Sequence, residues 1–227
     1  MIRVTENLRK IRDLLAEAAE DAGRGTDQVK LLAVSKKQPA AAIEEAAVAG
    51  QRDFGENQVL EGVEKIKLIA DPALVWHFIG HLQTNKTRAV AEHFDWVHSI
   101  DRAKTAQRLS RQRPDALPDL NICVQVNVDD EESKAGVAMK DAADLAQQIA
   151  SLPRLRFRGL MCLPAIREGF EAQREPFQRL SHLAASLRAD GLPVDTLSMG
   201  MSADFRAAVF EGSTMVRVGT AIFGART

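Results

Sequence analysis

Val29-Lys30-Leu31-Leu32-Ala33-Val34-Ser35 is an apolar run of strand length, and Lys36-Lys37-Gln38 leads from it to Pro39, where an alanine-rich stretch begins that closes at Gly50. Proline at a helix start and glycine just past a helix end are boundary residues, so the segment reads as a strand followed by a helix. The unit recurs. Further strand-like runs lie at Arg52 to Gly55, Leu74 to Ile79, Trp96 to Ile100, Asn121 to Asn127, Leu155 to Leu163, Val194 to Met199 and Met215 to Val218. Helical spacing separates them at Gln58 to Ile69, Asn85 to His93, Ala103 to Arg111, Lys140 to Leu152, Glu171 to Arg188 and Ala203 to Glu211. Several strands are apolar on both faces, as Ile122, Cys123, Val124, Val126 and Val128 show; parallel strands covered by helices have this composition. The alternation runs on without a break in composition, which predicts an α/β fold with one parallel sheet in a single domain over residues 1–227. Eight strands point to a (β/α)8 TIM barrel, with a doubly wound open sheet as the competing arrangement. Ahead of the first strand, Leu8, Ile11, Leu15 and Ala18 fall at helical spacing between about Thr5 and Ala22, which adds an extra N-terminal amphipathic helix.

The chain has 227 residues, enough for such a barrel. Hydrophobic residues make up 45% and charged residues 27%, the composition of a globular domain with a real core. Lys and Arg total 30 against 31 Asp and Glu, so no basic field points to nucleic acid or to an anionic membrane. No apolar run approaches the roughly 20 residues that span a bilayer. Charges at Glu6, Arg9 and Lys10 interrupt any apolar signal core. The two cysteines, Cys123 and Cys162, lie in strand-like runs without metal or disulfide spacing, so a reducing, cytoplasmic setting is expected. Tyrosine is absent altogether.

In barrels of this kind, reactive groups sit where strands end. The first strand ends in Ser35 and Lys36, the second in Glu56 and Asn57, the third in Gly80 to Lys86, and the fourth in Ser99 to Asp101. The fifth ends near Asn127, the sixth in Met161 to Pro164, the seventh in Ser198 to Ser202, and the eighth in Arg217 to Thr220. Gly200 and Gly219 remove side chains, which lets backbone N–H groups approach an anion. Ser202 is placed to cap a helix beginning near Ala203, and Thr220 to open a short helix toward Phe223. Helix starts bind phosphate, and the loops after strands seven and eight are the frequent phosphate site of the fold. The same residues also fit ordinary tight turns. Lys36 is expected across the rim from this cup, where partial loss of hydration would make it a better amine nucleophile. A solvated surface lysine is the plainer reading, and Lys37 stands beside it. His77 and His81 are four apart, but Gly80 interrupts the strand between them, so His77 reads as a packed or rim residue and not as half of a metal site.

These residues belong to a larger pattern. Leu32-Ala33-Val34-Ser35-Lys36, Phe54-Gly55-Glu56-Asn57, His77 through Lys86, Gly159-Leu160-Met161, Leu197 through Ser202 followed by Asp204, and Val216 through Thr220 followed by Ile222-Phe223-Gly224 occur in order. In this set the chain resembles the pyridoxal phosphate homeostasis proteins, small proteins that bind pyridoxal 5'-phosphate (PLP), over nearly its whole length. The resemblance implies a barrel like the N-terminal domain of the alanine racemases. It implies PLP as a Schiff base on Lys36, with the phosphate held by Ser198, Gly219 and Thr220 and by backbone around Met199, Gly200 and Met201. Arg217 would face the pyridine nitrogen, and Asn57 and His81 would lie near the ring. Lys134, in Ser133-Lys134-Ala135-Gly136, matches a family lysine linked to PLP handling. Two departures stand out. Lys37-Gln38-Pro39 replaces the usual threonine-lysine before proline, and Gln58 stands where an aromatic residue is common.

Three functions compete at this level. The first is a non-enzymatic PLP carrier in vitamin B6 homeostasis, serving PLP-dependent acceptor enzymes as a monomer or weak homodimer. The second is a PLP-dependent amino-acid racemase; the alanine racemase route uses a lysine and a tyrosine as opposed bases, and this sequence has no tyrosine. The third is a barrel that binds a phosphorylated metabolite without PLP.

Overall fold

A computed structural model describes residues 4–131 and 134–224; Ser133, quoted above, lies outside them. Five strands come first: β1 (Lys30–Val34), β2 (Asp53–Glu56), β3 (Val75–Phe78), β4 (Trp96–Ile100) and β5 (Leu120–Asn127). A two-residue strand β6 (Val137–Ala138) follows, then β7 (Leu155–Cys162), β8 (Thr196–Ser198) and β9 (Met215–Val218). All pairs are parallel, β4 joins β5, and β9 returns to β1 from Lys30↔Met215 to Ala33↔Val218. The ring is closed, so the barrel stands and the open sheet falls. β6 pairs with β5 at Val126 and Asn127, beyond Val124 where the β4 pairing ends. It thereby occupies an edge that β4 is too short to reach.

The helices following the strands are α2 (Ala40–Val48), α3 (Val59–Ile69), α4 (Thr87–His93), α5 (Ala103–Gln112), α6 (Ala142–Ala150), α7 (Phe170–Ala189), α8 (Phe205–Phe210) and α9 (Thr220–Phe223). The last is one turn long. The N-terminal helix α1 (Val4–Asp21) covers the place a longer one would take, packing on α8, α9 and α2. Its buried stripe is Val4, Leu8, Ile11, Leu15, Ala18 and Ala19, and each fully buried Leu or Ile contributes roughly 2 kcal/mol. Polar ties fix its position: Asn7 donates to the Ile222 carbonyl (3.0 Å) and Arg12 to the Ala49 carbonyl (2.8 Å).

Strand alternation sorts β3 into two faces. Trp76 and Phe78 point toward the helices, where they meet Phe54 and Phe94. His77 points into the barrel, beside His98 and Trp96. The interior therefore holds polar side chains as well as the small apolar cluster of Trp96, Cys123 and Met161. At the floor, Arg158 stacks over Trp96 (4.7 Å to the ring centroid) and binds Asp195. Among the described residues no helix is long and apolar enough to cross a membrane.

Two features set the rim. Gly80 follows β3 so closely against the loop after β2 that a Cβ there would sit 2.1 Å from the Asn57 carbonyl oxygen. On the other side, Asp129 clasps the loop after β5 to the loop after β7. Its carboxylate accepts from Lys134 (2.6 Å), Arg167 (2.7 Å) and the Ala165 N–H (2.7 Å). Burial pushes the Asp129 carboxyl up, but these three bonds outweigh it and bring the group down to about 2.

Gly80→Ala should destabilise the fold by about 1–3 kcal/mol, the usual cost of overpacking against backbone; a urea midpoint equal to that of the wild type would refute the close approach. The Asp129 clasp should stabilise fully above the unfolded carboxyl value of about 4 and fade as pH falls toward 2, because the folded group holds its proton less tightly. Comparing urea midpoints of wild type and Asp129→Asn at pH 7 and pH 3 should show a gap that narrows at the lower pH. A constant gap would remove the clasp from the stability balance.

Candidate functional site

A cavity of about 410 Å³ opens at the C-terminal ends of the strands. Its wall takes Val34, Lys36 and Gln38 from the β1 end, Asn57 from β2, and Ile79, Gly80 and His81 from β3. The opposite side is built from Met161 and Leu163 after β7, Met201 and Ser202 after β8, and Arg217, Gly219, Thr220 and Gly224 from β9 onward. The ends of β4 and β5 contribute nothing, so the cavity occupies one side of the barrel mouth. Among the described residues, Lys36 and Arg217 are its charged lining residues, and no carboxylate joins them. Such a site favours an anion.

Lys36 is half-buried whereas Lys37 is exposed, which separates the two candidate lysines. The turn between them is pinned. Gln38 N–H bonds to the Ser35 carbonyl (3.0 Å), Lys37 takes a left-handed φ of 60°, and its N–H bonds to the Glu61 carboxylate. Beneath it, the Ser35 hydroxyl donates to Glu56 Oε1 (2.6 Å), and Lys65 Nζ reaches the Ser35 carbonyl (2.8 Å), Glu56 (2.8 Å) and Glu61 (2.6 Å). Burial pushes the Glu56 carboxyl up, and its bonds to Lys65 and Ser35 pull the other way.

Lys36 does not stand across the rim from the glycine turn. β1 and β9 are neighbours, and Gly219 comes so near the first strand that a Cβ there would lie 3.0 Å from the Val34 carbonyl. Amine and turn are side by side. Thr220 is exposed at the start of α9.

The seventh-strand loop differs more. Ser198 is fully buried and does not line the cavity: its hydroxyl bonds to His98 Nδ1 (2.8 Å) and accepts from Arg217 Nη1 (2.8 Å). Met199 is buried too, with its N–H on the Met215 carbonyl (3.1 Å). Gly200, at φ 96°, turns its Cα toward α8, where a Cβ would lie 2.6 Å from that of Ala208. Ser202 was expected to cap the next helix. Instead Asp204 accepts the Met201 N–H (2.6 Å), α8 starts at Phe205, and Ser202 is left exposed on the cavity wall. Sequence reasoning named both serines, but the structure puts Ser202 on the cavity wall and Ser198 beneath Arg217, because the cap that distinguishes them depends on where a six-residue helix begins.

Arg217 is buried at the cavity wall, where Nη1 also donates to the Ser198 carbonyl (2.5 Å) and Nη2 to the Cys162 carbonyl (2.9 Å). Asn57 lines the cavity with a buried Oδ1 that has no hydrogen-bond partner. His81 is exposed at the mouth. His77 is fully buried, bonded to Asp53 and His98, and no cluster suited to a metal occurs among the described residues. Lys134 is held by Asp129 and Glu131 outside the cavity lining. Cys123 and Cys162 are free thiols whose burial pushes both up to about 12. An accessible amine, an unpaired buried acceptor, a buried guanidinium and a glycine turn beside two hydroxyls fit a phosphorylated aromatic aldehyde.

The family of the alanine racemase N-terminal domain matches residues 3–227. A pyridoxal phosphate homeostasis protein of Pseudomonas aeruginosa is 54% identical over 226 residues, covering 100% of this chain and 97% of the relative. The solved structure of PipY from Synechococcus elongatus PCC7942 with PLP bound superposes with a TM-score of 0.85 at 39% identity, covering 97% of this chain and 100% of that one. An alanine racemase of Clostridium difficile 630 shares the fold at 13% identity and a TM-score of 0.78, with 98% of this chain and 56% of the racemase covered. On the geometry and on these likenesses together, the chain belongs to the pyridoxal phosphate homeostasis proteins, a branch of the alanine racemase N-terminal domain family.

Proposed function

We propose that the chain binds PLP in the barrel-mouth cavity, linked as a Schiff base to Lys36, and serves its carriage and supply without catalysing a reaction. The observation that carries this reading is Lys36 itself: a half-buried amine beside a glycine turn, in a cavity that no carboxylate lines among the described residues. PipY, which bears PLP in its solved structure, supports it at 39% identity. Bound PLP supplies an aldehyde that condenses with an amine and a ring that can withdraw electrons.

The chain's residues divide the work. Ser202 and Thr220 offer hydroxyls, and Gly219 offers close backbone approach, to the phosphate. Ser198 acts on the site through Arg217 and not by touching the phosphate. Arg217 would face the pyridine nitrogen; an arginine stays charged, so it would discourage protonation there and weaken the electron sink. Asn57, with its unpaired Oδ1, and His81 at the open edge would lie near the ring. A weakened sink suits holding a cofactor better than using it. PLP-dependent acceptor enzymes, a cytoplasmic setting and a monomeric or weakly dimeric state complete the proposal, with residues 1–227 acting as one binding unit. Racemisation is disfavoured because the chain has no tyrosine and both thiols sit at about 12, too high to serve as bases at neutral pH.

Purified protein given PLP should develop a visible absorbance band that borohydride removes, and peptide mapping should find the reduced adduct on Lys36. Lys36→Ala should abolish the adduct; an adduct retained on another lysine would refute the assignment. Ser202→Ala should weaken PLP binding by order 1 kcal/mol, one hydrogen bond to a charged group at the low end. Unchanged affinity would take Ser202 out of the phosphate cradle.

A further inference from the structure

Arg217 is the upper end of a hydrogen-bonded column that crosses the barrel interior. Arg217 Nη1 meets Ser198 Oγ at 2.8 Å, and Ser198 Oγ meets His98 Nδ1 at 2.8 Å. His98 Nε2 meets His77 Nδ1 at 2.9 Å, and His77 Nε2 meets Asp53 Oδ1 at 3.1 Å. The column starts at the cavity and ends at the barrel floor, where Asp53 also faces Lys30 at 3.4 Å. Ser198, His98 and His77 are wholly buried.

The direction of every bond follows from its two ends. A guanidinium only donates and a carboxylate only accepts. Asp53 is held low despite burial by its bond to His77, so it stays ionised and His77 Nε2 carries the hydrogen. Burial pushes His77 down against the pull of Asp53, and pushes His98 well down with help from His77 and Arg217. Both rings are therefore neutral, and each has one donor and one acceptor. His77 Nδ1 must accept from His98 Nε2, and His98 Nδ1 must accept from the Ser198 hydroxyl. That leaves the Ser198 oxygen to accept from Arg217. All four bonds point the same way, from buried cation to buried anion, the arrangement in which neighbouring bonds polarise one another. Other charges bear on the column: Lys30 at Asp53, Asp95 near His77 and Asp204 near Arg217.

We propose that Asp53, His77 and His98 are positioning residues for the cofactor, acting through Ser198 to orient the Arg217 guanidinium and to couple it to the charge at the barrel floor. The inference rests on the PLP reading for its effect and on the hydrogen-bond geometry and burial of the column for its existence, so the two are tested separately. In the cofactor-free wild-type protein, imidazole ¹⁵N NMR at neutral pH should find both His77 and His98 neutral, with the hydrogen on Nε2. A charged ring at that pH, or a hydrogen on Nδ1 of either, overturns the relay whatever the protein binds.

With PLP added, Asp53→Asn keeps an acceptor oxygen but removes the charge. It should raise the Kd by about three- to tenfold, the range of one ordinary hydrogen bond since the effect reaches the cofactor only through the column, and shift the absorbance band of the bound cofactor. In a Ser198→Ala background the same substitution should add nothing further, because the relay is already cut. Wild-type affinity and spectrum in a folded Asp53→Asn variant, or full additivity in the double variant, would overturn the proposal. A wild-type protein that never forms the borohydride-sensitive band would instead refute the cofactor reading. The relay would then be judged by whether Asp53→Asn moves the Arg217 side-chain ¹⁵N resonances, and unmoved resonances would overturn it.

Discussion

Pairing of Lys30–Ala33 with Met215–Val218 closes the ring, and the site depends on that closure. It carries the end of the first strand to within backbone contact of the glycine turn after the last, residues far apart in the chain. Parallel strands impose the polarity: every strand end that matters reaches the same rim. α1 then covers the outside of this seam, where the one-turn α9 leaves the barrel short of a helix. Without that cover, apolar groups on the outer face of the closing strands would meet water.

A second constraint is the buried ion pair under the Lys36 turn. Bringing Glu56 and Lys65 out of water is costly, and mutual attraction repays it only with good geometry and further hydrogen bonds. Lys65 donates to two carboxylates and a carbonyl and the Ser35 hydroxyl joins it on Glu56 Oε1, while Glu56 Oε2 is buried without a partner. What this network fixes is direction. With the backbone on either side of Lys36 anchored, that side chain lines the cavity and its neighbour Lys37 faces solvent.

The strands and helices were legible in sequence because their apolar periods are long and their ends are marked, as at Pro39 and Gly50. β6 was not, since two residues cannot display a period. Val194 to Met199 reads as one run, yet only Thr196–Ser198 pairs as β8. Lys36, Asn57, His81, Arg217, Gly219 and Thr220 were all named from sequence and all line the cavity. Ser198, Met199 and Gly200 were named too and do not, because a one-residue pattern of serines and glycines says nothing about which face of a turn looks inward. The interior column escaped notice for another reason. Asp53, His77 and His98 lie on three different strands, and only the register of the barrel brings them together.

Burial of the two cysteines has a chemical consequence for a cavity suited to an aldehyde. Thiolates add to aldehydes readily, but burial pushes both thiols up to about 12 and keeps them protonated at neutral pH. Lys65 and Lys134 are engaged by carboxylates, and Lys37 points away. Among the described residues, any electrophile entering the cavity thus meets a single amine on its wall. Selectivity of this kind comes from silencing the competitors as much as from activating the chosen group, and it would let the chain hold a reactive guest without being modified elsewhere by it.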